Sequence, residues 1–226
     1  MTYNIAIDGP AGAGKSTIAR AVAERLKLVY VDTGAMYRAL TVAVLRQGID
    51  PQDREAVIRC CLDSDVTIRY EDGEQVVYLN GENVNPLLRT EEVGSAASSV
   101  SVIPRVREKL VELQRRLAAE SDCIMDGRDI GTCVLPRAQT KIYLTADSGV
   151  RAKRRYDELK ARGEDCDLER IKADIEERDY RDMHREVSPL RQAEDAVLVD
   201  TSDMTVDEVI DRILELCKVC KDFLSQ

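Results

Sequence analysis

A glycine-rich loop near the start of the sequence constrains the fold more than any other feature. Residues 9–17 read GPAGAGKST, which fits the pattern G-x-x-x-x-G-K-[S/T]. An apolar run precedes the loop and apolar residues four positions apart follow it, so we predict a strand before it and an amphipathic helix after it. In that setting backbone N–H groups wrap a phosphate, Lys15 adds a point charge and the Ser16 hydroxyl can ligate Mg²⁺. The predicted contacts to a nucleotide are Gly9, Pro10, Ala11, Gly12, Ala13, Gly14, Lys15, Ser16 and Thr17.

Short apolar runs rich in β-branched residues alternate with helical patterns along most of the chain. The runs lie at 4–7, 28–31, 123–125, 141–144 and 196–199. Their alternation with helices predicts an α/β fold, a P-loop parallel five-stranded sheet with helices on both faces. A final amphipathic helix should begin at Thr205, which with Glu208 fits a capping box.

Residues 63–90 interrupt this alternation. Apolar and polar residues alternate on either side of Asp72-Gly73, which predicts an antiparallel hairpin with a tight turn. A hairpin inside an α/β chain indicates a small inserted mixed α/β subdomain, continuing into a helix after Thr90. We therefore predict a core formed by 1–62 and 91–226, with 63–90 as the inserted part of a second domain.

Composition argues against several classes of protein. The formal net charge of −9 disfavours general nucleic-acid binding. No apolar run approaches the roughly 20 residues that span a bilayer, and the start lacks the features of a signal peptide, so we expect a cytoplasmic protein. A single histidine disfavours hydrolases that need an imidazole base. The seven cysteines are an odd number and indicate reduced thiols, and Cys217 and Cys220 lack a second ligand pair for structural zinc.

A P-loop alone does not define a reaction, because GTPases, ATPases and small-molecule kinases share it. The absence of D-x-x-G and N-K-x-D from the sequence disfavours a GTPase. Two further segments, at 32–38 and 126–131, follow predicted strands and carry arginines, a hydroxyl and carboxylates. Because the carboxyl ends of parallel strands line the ligand crevice, both segments are candidates for binding an anion. Each one alone is equally explained by a helix cap or a surface ion pair.

Taken together and in order, five segments resemble bacterial-type cytidylate kinase, within the P-loop nucleoside monophosphate kinase superfamily. They read GPAGAGKST, DTGAMYR, IPRVR, DGRDIGT and ERDYRD, and they extend over nearly the whole chain. The resemblance implies a P-loop core, an inserted monophosphate-binding domain that includes 63–90, and a mobile helical lid at about 150–186. It also implies transfer of the γ-phosphate of ATP, with Mg²⁺, to CMP or dCMP, giving ADP and CDP or dCDP.

The resemblance also assigns residues to the acceptor. It implies that Arg38 and Arg128 hold the acceptor phosphate, while Ser98, Arg107 and Asp129 face the cytosine. Cytosine presents an amino donor beside two acceptors, which a carboxylate and a guanidinium match, whereas uracil has an oxygen in place of the amino group.

The lid residues follow from the same resemblance. Arg178, Asp182 and Arg185 share one face of a helix predicted over 168–185, and the resemblance implies that they reach the phosphates or the acceptor ribose when the lid closes. Arg154, from the preceding helix, is assigned to ATP.

Other residues of these segments are less specific. Arg151 and Lys153 fit either the lid's ligand face or a solvated helix with ion pairs. Ile171 and Ile175 should form the packing side of the lid helix. Thr33, assigned to the substrate, stands where some members of the family carry serine, which leaves the preference between CMP and dCMP open.

The expected mechanism needs no general base, because the acceptor phosphate is largely ionised at neutral pH. Lys15, Arg128 and Arg178 are the predicted catalytic residues, which align the phosphates and stabilise charge on the transferring group. Closure of the lid should exclude water. Two alternatives remain, a P-loop kinase for UMP or dephospho-coenzyme A and a non-catalytic nucleotide-binding regulator. We expect small nucleotides as partners, and a monomer.

Overall fold

The computed structural model describes residues 2–224, with side chains described up to Cys217, so Cys220 of the disfavoured zinc pair lies outside the described side chains. The chain forms two compact units. The first consists of Met1–Tyr30 with Ser121–Gln226, and the second of Val31–Glu120. The hairpin segment 63–90 belongs to the second unit.

The helices and strands follow each other in the alternating order that the sequence indicates. The strands are β1 (Asn4–Asp8), β2 (Val29–Asp32), β3 (Val66–Glu71), β4 (Glu74–Leu79), β5 (Glu82–Asn83), β6 (Cys123–Gly127), β7 (Thr140–Thr145) and β8 (Val197–Asp200). The α-helices are α1 (Lys15–Leu26), α2 (Thr33–Arg46), α3 (Arg54–Asp63), α4 (Glu91–Val100), α5 (Pro104–Glu120), α6 (Ser148–Ala161), α7 (Leu168–His184) and α8 (Val206–Leu224). A 3₁₀ turn covers Asn85–Leu87, and a π-helical turn covers Ile130–Val134.

The first unit is built on a five-stranded sheet in the order β2-β6-β1-β7-β8. β1 pairs in parallel with β6 and with β7, and β7 pairs in parallel with β8. All five strands coincide with the predicted apolar runs, so the α/β prediction is confirmed. The carboxyl end of β1, which leads into the P-loop, therefore lies between the carboxyl ends of β6 and β7.

The core of this unit explains why the apolar runs are needed. Ile5, Ile7, Ile124, Ile142 and Leu144 are buried, and α1 and α8 contribute further aliphatic side chains to the same cluster.

The predicted capping box at the start of α8 is present. The Thr205 backbone N–H donates to Glu208 at 2.8 Å, and the Glu208 N–H donates to the Thr205 hydroxyl at 3.3 Å.

The second unit contains the predicted hairpin. β3 and β4 pair antiparallel, with Glu71 opposite Glu74, and β5 adds a third strand to the sheet. The turn residues Asp72 and Gly73 have φ values of 51° and 81°, as a tight two-residue hairpin turn requires. The predicted helix after Thr90 is α4, and the Thr90 hydroxyl accepts the N–H of Val93.

The part of the chain that the structure describes lacks two features, a membrane-spanning helix and a cluster of metal-binding side chains. Between residues 2 and 224, no helix is both long enough and apolar enough to cross a membrane. In the same part of the chain, no group of three or more histidine, cysteine, aspartate or glutamate side chains is placed to hold a metal ion.

Candidate active site

The P-loop runs from the carboxyl end of β1 into the amino end of α1. Gly9 has a φ of 151°, and a Cβ atom at this position would lie 1.9 Å from the carbonyl oxygen of Leu144, so no side chain fits. Gly14, the cap of α1, has a φ of 84° in the left-handed region that favours glycine. These two glycines allow the loop to approach β7 closely and then turn so that the first N–H groups of α1 face the loop's interior.

Lys15 lies among both basic and acidic side chains. Its side chain is buried, and Nζ donates to the carbonyl oxygen of Pro10 at 2.7 Å. Burial, followed by the charge of Arg128 and then that of Arg178, lowers the pKa of Lys15 well below its ordinary value, although Asp126 and Asp182 raise it. Three cationic side chains next to the P-loop provide the donors that a phosphate needs.

Ser16 faces a carboxylate on the neighbouring strand. Its hydroxyl donates to Asp126 Oδ2 at 2.9 Å, while the Tyr30 hydroxyl donates to Asp126 Oδ1 at 2.9 Å. Asp126 is buried in β6, opposite Ile7 of β1. A serine hydroxyl beside a strand-end aspartate provides the hard oxygen donors that Mg²⁺ prefers next to phosphates, so these residues fit the metal that the sequence predicts.

The two residues that follow β6 form ion pairs with α7 and with Arg185, the residue after that helix. Arg128 Nε donates to Asp182 Oδ2 at 2.8 Å, and Arg185 lies 3.2 Å from Asp129 Oδ1. Burial opposes ionisation of Asp182, but the adjacent Arg128 holds its pKa below the ordinary value. The predicted lid face of Arg178, Asp182 and Arg185 therefore adjoins the predicted acceptor residues Arg128 and Asp129.

Asp8 fixes the backbone that carries Asp129. Its two carboxylate oxygens accept the N–H groups of Ile130 at 2.8 Å and Gly131 at 2.7 Å. Burial raises the pKa of Asp8 to about 6, although these two N–H groups and Lys15 lower it. Asp8 thus ties the end of β1 to the π-helical turn after Asp129.

The helices α6 and α7 are attached to the P-loop and to the end of β8. Asp179 accepts the N–H of Ala11, and Arg151 donates to the carbonyl oxygen of Ala11. Arg151 is buried, so the alternative of a solvated residue is wrong for Arg151, while Lys153 pairs with Asp157 on the exposed surface of α6. Arg154 donates to the hydroxyl and the carbonyl oxygen of Thr201 at 3.1 and 2.7 Å.

The packing side of α7 is as predicted. Ile175 is buried and Ile171 is half-buried. Arg178 and Asp182 follow Ile171 and Ile175 at spacings of three and four residues, so the isoleucines and the charged groups lie along the same face of α7, and Ile175 and Asp182 are both buried.

In the second unit, Arg38 is held by the start of its own helix. Asp32 caps α2 by accepting the N–H of Ala35 at 2.9 Å, and its other oxygen accepts a hydrogen bond from Arg38 at 2.9 Å. A Cβ atom at Gly34 would lie 2.9 Å from the Arg38 guanidinium, so glycine leaves room for that arginine. Thr33, at the first position of α2, is buried. The DTG sequence thus orients Arg38.

Arg107 and Ser98 lie elsewhere in the second unit. Arg107 is buried, donates to the carbonyl oxygen of Ser101 at 3.0 Å, and lies over the ring of Tyr37 at 5.4 Å from its centroid. Ser98 is half-buried on α4, and its carbonyl oxygen accepts from the Ser101 hydroxyl at 3.3 Å. Arg107 is therefore a preorganised guanidinium rather than a surface residue.

Two charged residues of this arrangement, Asp8 and Asp179, were not predicted from the sequence. A signal for Asp8 was available, because it lies between an apolar run and the nucleotide loop. No local pattern distinguished Asp179 from the many other charged residues of α7. Asp126 lies in the segment predicted to bind an anion and Arg151 was a candidate for the lid's ligand face, but their contacts with Ser16 and Ala11 were not predicted.

The parallel sheet and the P-loop at its central strand define a P-loop nucleotide-binding protein. The family model for cytidylate kinase matches residues 5–219. A cytidylate kinase of Caldicellulosiruptor bescii is 50% identical over 94% of both chains. A cytidylate kinase of Lactobacillus johnsonii is 49% identical over 94% of this chain and 92% of its own.

A gluconokinase structure from Sinorhizobium meliloti superposes with a TM-score of 0.51 at 13% identity, covering 99% of this chain and 97% of its own, which supports the fold alone. Because the family model matches residues 5–219 and these two relatives share about half of their residues with it, the chain belongs to the cytidylate kinase family.

Proposed function

We propose that the protein transfers the γ-phosphate of ATP to CMP, and also to dCMP, giving ADP and CDP or dCDP. The observation that carries this proposal is membership of the cytidylate kinase family over residues 5–219, combined with an intact P-loop in its expected strand-to-helix setting. Pyrimidine nucleotides in the cytoplasm would be its substrates.

The proposed roles divide between donor and acceptor. Lys15 and the loop's N–H groups bind the phosphates of ATP, and Arg178 stabilises charge on the transferring group. Arg154 contacts ATP, in exchange for its present partner Thr201. The buried position of Lys15, next to Arg128, supports this assignment, because a low-dielectric setting strengthens each of these charge interactions.

For the acceptor, we propose that Arg38 and Arg128 bind the phosphate, with Asp182 and Arg185 directed to the phosphate or the ribose. Asp129 accepts the amino group of cytosine, and Arg107, Ser98 and Thr33 complete the nucleoside contacts. Each of these two arginines is held by a carboxylate, Arg38 by Asp32 at 2.9 Å and Arg128 by Asp182 at 2.8 Å. This supports the proposal, because a group that binds a phosphate in a defined geometry must itself be held in place.

Magnesium would be held by Ser16 and Asp126. Bound there, Mg²⁺ supplies charge neutralisation between the phosphate groups of the nucleotide. The other roles in the reaction belong to side chains of the protein. Lys15, Arg128 and Arg178 align and stabilise the phosphates, and no residue acts as a general base, because the acceptor oxygen is already ionised near neutral pH.

A panel of acceptors tests the proposal. ATP with Mg²⁺ is supplied with CMP, dCMP, UMP, AMP, GMP, shikimate or dephospho-coenzyme A, and ADP release is followed by a coupled assay. We expect CMP and dCMP to be the preferred acceptors. A preference for UMP or dephospho-coenzyme A would assign the protein to another small-acceptor kinase, and no turnover with any acceptor would favour a nucleotide-binding regulator. Sedimentation would test the proposal that the enzyme is a monomer.

A further inference from the structure

One peptide position of the P-loop is held by both lid helices at once. The Ala11 N–H donates to Asp179 Oδ1 of α7 at 3.2 Å, and the Ala11 carbonyl oxygen accepts from the Arg151 guanidinium of α6 at 2.8 Å. The same guanidinium lies 2.6 Å from Asp179 Oδ2. A closed ring of contacts therefore joins the loop, α6 and α7. We call the Arg151–Asp179 pair the latch.

The latch is buried and closely packed. The side chains of Arg151 and Asp179 are 7% and 10% exposed. The guanidinium Nε also donates to the carbonyl oxygen of Ala146 at 2.9 Å, which fixes its direction. A Cβ atom at Gly12 would lie 3.4 Å from Arg151 Cβ and 3.8 Å from Ile175 Cδ1, so side chains of both helices lie close to the loop at the next residue as well.

Stability alone gives a weak reason for such a pair. Removing two charges from water costs about as much as their attraction returns, and an apolar pair of similar volume is often equally stabilising. What an ion pair adds is defined geometry, because its donors and acceptors fit in a single arrangement.

The geometry matters because of what lies beside the latch. Arg178 precedes Asp179 on α7, and its charge contributes to lowering the pKa of Lys15. Asp182, one turn further along, is hydrogen-bonded to Arg128. A shift of α7 relative to Ala11 would therefore move Arg178 and Asp182 relative to the phosphate-binding loop.

We propose that Arg151 and Asp179 are positioning residues that keep α7 in register with the P-loop, so that a phosphate in the loop and Arg178 stay aligned. The latch holds the loop through the Ala11 peptide and acts on the phosphate through the loop and the helix. The part of this proposal that concerns turnover rests on the proposed phosphate transfer, whereas the coupling between loop and helix does not.

Hydrogen exchange tests the coupling without any acceptor. Mg²⁺-ADP is the probe for the loop, and amide exchange is followed over α7 in the parent and in the double variant Arg151→Met with Asp179→Leu. We expect ADP to slow exchange in α7 of the parent, and to bind the double variant without slowing it. Equal protection of α7 in both proteins would overturn the proposal. As a matched control, Glu177→Gln with Arg181→Gln removes the exposed ion pair of the same helix and should leave the protection unchanged.

Turnover gives the second readout. A displacement of reacting groups by about 1 Å can cost on the order of 100-fold in rate, so kcat of the double variant should fall roughly 10- to 100-fold while its unfolding temperature stays near that of the parent. An unchanged kcat would overturn the proposal. If the double variant does not fold, Asp179→Asn, which preserves the shape of the side chain, takes its place with the same two outcomes. If the parent itself does not phosphorylate CMP, the proposed function fails, and hydrogen exchange still decides the latch.

Discussion

Replacing Asp8 by asparagine should change how the stability of the protein depends on pH. Burial raises the pKa of this carboxyl from 3.8 to about 6. Because the folded protein holds the proton more tightly than the unfolded chain, this group's contribution to stability is fully present below pH 3.8 and is lost as pH rises through about 6. Each pKa unit is worth about 1.4 kcal/mol, so the loss over the whole window is about 3 kcal/mol, roughly half of it between pH 5 and pH 7.5.

The assay compares urea unfolding of the parent and of Asp8→Asn at pH 5 and at pH 7.5. Asparagine cannot ionise, so its lost or altered hydrogen bonds to Ile130 and Gly131 cost about the same at both pH values. Groups such as Asp182, whose lowered pKa acts in the opposite direction, are common to both proteins and cancel in the difference. The parent's stability relative to the variant should fall from pH 5 to pH 7.5. If the stability of the parent relative to the variant is the same at both pH values, or is greater at pH 7.5, the reasoning is refuted.

Three further substitutions test separate parts of the site. Asp126→Asn should weaken Mg²⁺-dependent ADP binding by roughly 10- to 100-fold, measured by calorimetry with and without the metal, because Ser16 loses its carboxylate partner; equal losses without Mg²⁺ would count against a metal role. Gly9→Ala should lower the free energy of unfolding by roughly 1–3 kcal/mol, because the new Cβ meets the Leu144 carbonyl oxygen, and an unchanged urea midpoint would contradict the close approach. Asp129→Ala should lower kcat/KM for CMP by at least about 100-fold while calorimetry shows ATP binding intact; an equal loss of ATP affinity would move Asp129 to the donor side.

Most of the fold is readable from the sequence because it is specified by local patterns. Apolar runs in strands, residues four apart in helices, the Asp72-Gly73 turn and the caps at Thr90 and Thr205 each act within a few residues. Each of these predictions is confirmed. The P-loop is equally local, since its glycines, Lys15 and Ser16 are consecutive or nearly so.

The charged contacts of the site could not be predicted from local sequence patterns. Asp8 accepts hydrogen bonds from residues 122 and 123 positions away, and Asp179 contacts a residue 168 positions away. Such pairings depend on which strand ends adjoin in the sheet and on how the lid helices pack. A chain in which 33% of residues are charged contains too many acidic and basic side chains for spacing alone to select these few.

The central claim is direct transfer of a phosphate from ATP to CMP, and labelled ATP tests it most directly. The protein is incubated with CMP, Mg²⁺ and ATP carrying ³²P in the γ-phosphate, and the products are separated by thin-layer chromatography, with Lys15→Met as the control. We predict that the label appears in CDP in step with ADP formation, and that the control forms little of it. Label that appears only as inorganic phosphate, or that stays in ATP, would contradict the account.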